Sequence, residues 1–292
     1  PYGQTIPFEA VLLREPLIGS ISASPTSIAA GSTMTSIITV TGVRDVMGII
    51  APGVTVNFHT TLGTLSSQTA ITNSAGVATV TLYPETTAGT ATVTATWAGI
   101  PKSTAVTIAL GTLNLTSNPT VVAAGSTTST ITATVTFNGN PISGEIVAFS
   151  ASGPGTLSAS SATTNLLGQA TTTFTPGLTT GTATITATAL TNTLTQTTFI
   201  HIINSVTVSP ATDTITAGTT EIYTATGSDA LGNSWDITNI VVWSIDSGAS
   251  GSWNGGIYTA EKAGTWTVTA TLGGLYDAAT LTVNPASATS IT

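Results

Sequence analysis

Gly89-Thr-Ala-Thr-Val-Thr-Ala-Thr96 alternates small or apolar residues with threonine, and the pattern returns as Gly181-Thr-Ala-Thr-Ile-Thr-Ala-Thr188 and Gly264-Thr-Trp-Thr-Val-Thr-Ala-Thr271. A period of two sets Ala91, Val93 and Ala95 on one face of an extended strand and the threonines on the other, the arrangement of a sheet with one buried face. Two further landmarks travel with it. An Ala-Gly-Ser or Ala-Gly-Thr turn occurs at Ala30-Gly31-Ser32, Ala124-Gly125-Ser126 and Ala217-Gly218-Thr219, so its glycine repeats after 94 and again after 93 residues. A polar residue before proline opens each copy, at Ser24-Pro25, Asn118-Pro119 and Ser209-Pro210. The first two copies also share Asn73-Ser-Ala-Gly-Val-Ala-Thr-Val-Thr81 and Asn165-Leu-Leu-Gly-Gln-Ala-Thr-Thr-Thr173, a piece with no evident counterpart in the third. Three repeats of one β-rich module are expected.

The composition agrees. Of 292 residues, 41% are hydrophobic, enough for packed cores, yet only 5% are charged, against about 25% in an average soluble domain. The surface is therefore paved with hydroxyls and amides, and threonine suits a pleated, half-buried surface. No 3.6-residue apolar period is sustained. The net charge is −8, and the cations are Arg14, Arg44, Lys102 and Lys262. These are too few to replace the counterions of phosphate, which excludes nucleic acid as a partner. Without cysteine there is no disulfide, thiolate metal site or cysteine nucleophile. No run of about 18 apolar residues is present to span a bilayer; the nearest, Ala10–Ile18, is broken by Arg14, Glu15 and Pro16.

Each repeat has the length of one Ig-type sandwich, about 100 residues, with short alternating runs between turn signals. The connections Leu110-Gly111-Thr112 and Ile203-Asn204-Ser205 are too short to behave as random coil. The expected fold is all-β: three tandem Ig-like β-sandwich domains in an elongated rod, with an extended N-terminal strand. The expected boundaries are 1–19 for the extension, 20–110, 111–203 and 204–284 for the three domains, and 285–292 for a tail. The first two repeats resemble bacterial Ig-like domains of group 1, the kind that builds invasin and intimin stalks. The resemblance rests on Gly53-Val-Thr-Val-Asn-Phe58, Gly144-Glu-Ile-Val-Ala-Phe149, Gly63-Thr-Leu-Ser66, Gly155-Thr-Leu-Ser158 and the Asn-x-x-Gly-x-Ala turns. The third resembles the group 2 relative through Val206-Thr-Val-Ser-Pro210, Asp229-Ala-Leu-Gly-Asn233, Val242-Trp-Ser244 and Ala263-Gly-Thr-Trp-Thr-Val-Thr-Ala270. The resemblance implies a non-enzymatic protein of a prokaryotic cell surface.

The ends bear on assembly. In Thr5–Leu13, Ile6, Phe8, Ala10 and Leu12 lie on one face of an extended strand, and leaving such side chains in water forfeits roughly 1.5–3 kcal/mol each. One reading is a strand donated to an Ig-like domain of a neighbouring copy, giving a homopolymer. The alternatives are an ordinary first strand or the end of a preceding domain. The C-terminal Asn284–Thr292 resembles the opening strand of another repeat.

Catalytic chemistry finds few candidates. The two histidines, His59 and His201, sit on expected strands of different repeats, and no nucleophile elbow or phosphate loop accompanies them. Glu9, Glu15, Glu85 and Glu145 read as solvated carboxylates rather than a hydrolytic pair. No cofactor is expected, calcium excepted: Asp229, Asn233 and Asp236 share one loop, which reads either as an oxygen-rich calcium site or as a hydrogen-bonded turn. Asn114-Leu115-Thr116 is an N-glycosylation triplet. Trp253, in an expected turn Gly-Ser-Trp-Asn-Gly-Gly, is a candidate glycan platform, and Trp243 an expected core residue. Three functions follow: a subunit of a surface filament or adhesive appendage; the stalk of an invasin/intimin-like adhesin; and a carbohydrate-binding accessory module. Partners would be other copies, other surface proteins, or host and cell-surface glycans.

Overall fold

The computed structural model describes residues 15–191 and 193–287. Ile6, Phe8, Ala10 and Leu12 lie outside them. By contact the chain forms two compact units. One comprises residues up to Thr112 with Val135–Glu145 and Ala189–Leu194; the other comprises Leu113–Thr134, Ile146–Thr188 and the residues from Thr195 onward. Among the described residues every regular element is a strand.

The first repeat stacks two sheets. In one, Ser20–Ser24, Ser36–Thr41, Ala78–Tyr83 and Thr64–Leu65 lie side by side; in the other, Ser27–Ala29, Ile100–Ala109, Gly89–Trp97, Thr55–Thr60 and Thr69–Ile71. The second repeat reproduces this order. Thr112–Asn118, Ser129–Phe137, Gln169–Pro176 and Gly155–Leu157 form one sheet, and Val121–Ala123, Leu194–Ile203, Gly181–Ala189, Ile146–Ser152 and Ser161–Thr163 the other. The third repeat divides its strands differently. Ser205–Ser209, Thr224–Ser228 and Ser234–Asp236 form one sheet, and Thr212–Thr216, Leu275–Asn284, Gly264–Leu272 and Val242–Ile245 a second. Thr220–Ile222, Ile257–Ala260 and Gly251–Asn254 form a third.

The alternating strand behaves as its period requires. Ala91, Val93 and Ala95 are fully buried, as are Ala183, Ile185 and Ala187 in the second copy. Each repeat opens by crossing between sheets. Ser20–Ser24 pairs antiparallel with Ser36–Thr41, and after Pro25 the chain joins the opposite sheet, where Ser27–Ala29 runs parallel to Ile100–Ala109. The Ser24-Pro25, Asn118-Pro119 and Ser209-Pro210 peptide bonds are all cis. Burying a serine at the crossing is tolerable because its hydroxyl donates to the proline carbonyl, Ser36 to Pro25 at 2.6 Å and Ser129 to Pro119 at 2.7 Å.

Candidate interaction surfaces

One five-residue turn occurs four times among the described residues, beginning at Asp45, Asn73, Asn165 and Asp229. In each, the side-chain Oδ1 accepts the N–H groups two and four residues on: Met47 and Ile49 at 2.9 and 3.0 Å, Ala75 and Val77 at 2.9 and 3.1 Å, Leu167 and Gln169 at 2.8 and 3.1 Å, and Leu231 and Asn233 at 2.9 and 2.9 Å. The fourth residue, Gly48, Gly76, Gly168 or Gly232, has φ between +66° and +86°, which glycine adopts without steric cost. The third repeat carries this turn shape with aspartate in place of asparagine, within the hairpin of Thr224–Ser228 and Ser234–Asp236, whereas the asparagine turns connect strands of different sheets. Its acceptor geometry matches that of the asparagine turns, where no negative charge is involved.

This bears on the calcium reading. Asp229 is buried, and its Oδ2 accepts a third bond from Asn233 Nδ2 at 2.9 Å. These bonds, the Asn233 side chain first, hold its carboxyl below the usual carboxylate range. Asp236 Oδ1 accepts from Thr238 N at 2.9 Å, Asp246 from Thr267 N at 2.7 Å, and Asp277 from Val208 N at 2.8 Å. Among the described residues no three Asp, Glu or His side chains converge. Both Asp229 oxygens thus accept bonds from the chain itself, as in a hydrogen-bonded turn.

Within the second unit the Asp229 turn is also a docking element. Ala230 N donates to Thr180 Oγ1 at 3.1 Å. Beside it the His201 ring stacks on Trp235 at 4.4 Å and 17°, with Nδ1 3.1 Å from Thr182 Oγ1. Burial pushes the His201 imidazole below its ordinary value, and the Asp229 charge opposes that shift. Val121, Ala123 and Ile203 of the second repeat are buried in the same cluster as the third repeat's core. Gly273, at φ +54°, presses on the Ala-Gly-Ser landmark: a Cβ there would fall 2.7 Å from Thr127 Cγ2 and 2.9 Å from Ser126 Oγ.

Within the first unit the landmark is used the same way. Thr191 Oγ1 donates to Gly31 O at 2.7 Å, and a Cβ on Gly31, at φ +68°, would lie 2.4 Å from the Leu190 carbonyl oxygen. Glu145, expected as a solvated carboxylate, is instead buried: it accepts from Thr33 N–H and, at 2.8 Å, from Thr33 Oγ1. Thr33, 112 residues away in sequence, presents two donors, and the Glu145 carboxylate accepts both. The Ala-Gly-Ser turn is thus a seat for the hairpin tip that follows it. Sequence reading found the turn as a repeat marker but had no signal for its role.

Trp253 is not on a turn. It lies in strand Gly251–Asn254, opposite Tyr258. Its ring stacks on Trp243 at 5.4 Å and 14°, with Tyr258 at 4.9 Å and Tyr223 at 6.0 Å, and its indole N–H is buried. That is core packing rather than an open platform, because the strand's inward face leads into the third repeat's core. Trp243 packs against the same core, and its Nε1 donates to Thr238 O at 3.0 Å. The Tyr223 hydroxyl and Trp253 Nε1 are buried without a hydrogen-bond partner among the described residues. Burial, then the nearby Glu221 and Asp213 charges, pushes the Tyr223 hydroxyl up to about 12. Asn114 stands on an outward position of strand Thr112–Asn118, and His59 is exposed on Thr55–Thr60.

Residues 16–113 match the family model for invasin, domain 3, and residues 112–203 match that for the bacterial Ig-like domain (group 1). The two matches adjoin and together span residues 16–203. No curated protein matches the sequence. Among solved structures, the D0-D1 domain of intimin is 26% identical, covering 63% of this chain and 98% of that one, with a TM-score of 0.30. The bacterial integrin-binding protein invasin is 21% identical over 91% of this chain and 60% of its own, with a TM-score of 0.34. The Escherichia coli adhesin FdeC is 19% identical over 91% and 99%, with a TM-score of 0.33. The chain spans 60% of the invasin chain it matches.

Proposed function

We propose that this chain is a length of stalk in a prokaryotic cell-surface adhesin, a non-enzymatic spacer that carries a binding element away from the cell. The observation that carries the reading is the pair of matches that meet at residues 112–113, one to an invasin domain and one to a bacterial Ig-like domain. Tandem sandwiches joined without a flexible linker suit a spacer, which must transmit position rather than bind. The weak charge of the surface is consistent with this, since a spacer needs no steering field. Engaged carboxylates and a packed Trp253 leave the glycan-binding module without its candidate residue.

Two measurements test the reading. Immunogold labelling of intact source cells should place the chain outside the cell envelope. The purified chain should not bind host cells or a glycan array on its own. Label confined to the cell interior, or saturable binding by the isolated chain, contradicts a spacer.

A further inference from the structure

We infer that each repeat bears tension through a parallel pair formed by a short strand near its beginning and its last strand, and that the first repeat is the one that yields first. In the first repeat Ser27–Ala29 lies parallel to Thr107–Ala109, in the second Val121–Ala123 to His201–Ile203, and in the third Thr212–Thr216 to Thr280–Asn284. Each pair is closed at both ends by a further backbone bond. Thr107 N donates to Thr26 O at 2.9 Å and Ala30 N to Ala109 O at 2.8 Å. His201 N donates to Thr120 O at 2.8 Å and Ala124 N to Ile203 O at 2.9 Å, while Thr280 N to Ala211 O and Ala217 N to Asn284 O are both 2.9 Å. Because the two strands run parallel, the chain enters a repeat at one end of this pair and leaves at the other. Tension along the chain therefore slides one strand past its partner. The evenly spaced bonds between them share the load and must give way together. Such a clamp opens far more slowly than a pair peeled apart bond by bond, and that opening rate governs forced unfolding.

The three clamps are unequal. The register holds three residue pairs in the first repeat, three in the second and five in the third. The opening strands do not separate the first repeat from the third, since Ser20–Ser24 on Ile37–Thr41 and Ser205–Ser209 on Thr224–Ser228 both have five pairs. What backs the two shorter clamps differs. In the second repeat Val121, Ala123 and Ile203 are buried in the same cluster as the third repeat's core, and a Cβ on Gly273 would fall 2.9 Å from Ala123 Cβ. Sliding that clamp opens the third repeat's core, which the five-pair clamp holds shut. In the first repeat the clamp residues Ile28 and Ile108 pack within that repeat's own core. The first repeat thus combines a short clamp with the least backing. In a stalk, the reading on which its use rests, the first repeat lets out chain under load while the other two keep their fold.

Force spectroscopy of single full chains held by their two ends tests this. It needs no surface display, so its failure and that of the stalk reading are told apart. The expected record shows one repeat opening first and the others at higher force. The chain lacks cysteine, so Ser27→Cys with Thr107→Cys, register partners in the first clamp, can mark that repeat with a disulfide. Oxidation should erase the earliest event and reductant restore it. The bonds at Ala211 and Ala217 set an alternation that turns the Ile215 N–H toward the partner strand. Ile215→Pro removes that donor and should bring the later events down to the force of the first. Leu272→Ala, buried in the same repeat but outside its clamp, should lower the melting temperature and leave the rupture force nearly unchanged. Should Ile215→Pro fail to fold, Thr212→Cys with Thr280→Cys takes its place, and its oxidation should remove a later event and spare the earliest. An earliest event that survives oxidation of the Ser27→Cys, Thr107→Cys chain overturns the inference. So does a rupture force that falls as far in Leu272→Ala as in Ile215→Pro, or an earliest event that vanishes when the third repeat is locked.

Discussion

The turns at Asp45 and Asp229 are built from the same bonds and meet different surroundings. At Asp229 the turn is pressed against Thr180, its carboxylate is buried, and Trp235 nearby covers His201. At Asp45 the carboxylate is only half-buried, and Met47 is exposed as Leu231 is on the other turn. The hairpin tips repeat the contrast, Gly273 crowded and Gly99 open. The difference teaches that turn shape is a local matter, decided by one Asx side chain and one glycine, whereas its use depends on what the neighbouring repeat offers. Substitutions that are equivalent locally should therefore diverge in cost.

The glycine pair gives the largest separation. Gly273→Ala adds a Cβ that clashes with Thr127 and Ala123 as well as left-handed backbone strain, and it should cost about 3 kcal/mol in chemical denaturation. Gly99→Ala bears the strain alone, about 1 kcal/mol. Equal costs would remove the distinction between a docked and a free tip. The aspartates come next. Asp229→Ala removes a carboxylate that accepts from Leu231 N, Asn233 N and Asn233 Nδ2 and should cost about 2 kcal/mol, and Asp45→Ala about half of that. Asp229→Asn should be nearly neutral, as Asn73 and Asn165 hold the same turn without charge.

How much of this was legible in the sequence depends on the range of the interaction. The period of two in Thr90–Thr96 and the landmark spacing disclosed the sandwiches, because burial on one face is a local pattern. The Asn-x-x-Gly turn was legible at Asn73 and Asn165; at Asp229 the hydrogen-bonded turn was one of two readings, because an oxygen-rich loop also suggests a cation. Trp253 was misplaced because the flanking glycines read as a turn, although Gly251, at φ +155°, opens a strand. The burial of Glu145 against Thr33 had no local signal at all, since 112 residues separate the partners.

Two smaller effects sharpen the docked side of the comparison. Tyr223→Phe removes a buried hydroxyl with no partner and should raise stability by about 1 kcal/mol; a loss would show that the hydroxyl is bonded after all. His201 contributes through pH. Burial against Trp235 lowers its proton affinity in the folded chain, Asp229 opposing, so the unfolded chain takes up a proton first. Stability is then complete above the ordinary histidine value near 6.5 and declines as pH falls through the folded value. Melting curves at pH 7.5 and 5 should show this decline, reduced in His201→Gln; identical decline in the variant would assign it to another group. The smallest expected effect is zero: chelator should leave the melting temperature unchanged, as the Asp229 oxygens are already engaged.

Scanning calorimetry of the intact chain tests the central claim most directly, that Val121, Ala123 and Ile203 close the third repeat's core from the second. The account predicts that the third repeat melts together with Leu113–Thr134, Ile146–Thr188 and Thr195–Ile203 in one cooperative transition, and that Trp235→Ala lowers that transition as a whole. A separate transition of the third repeat alone, unmoved by changes at Val121 or Ile203, would contradict it.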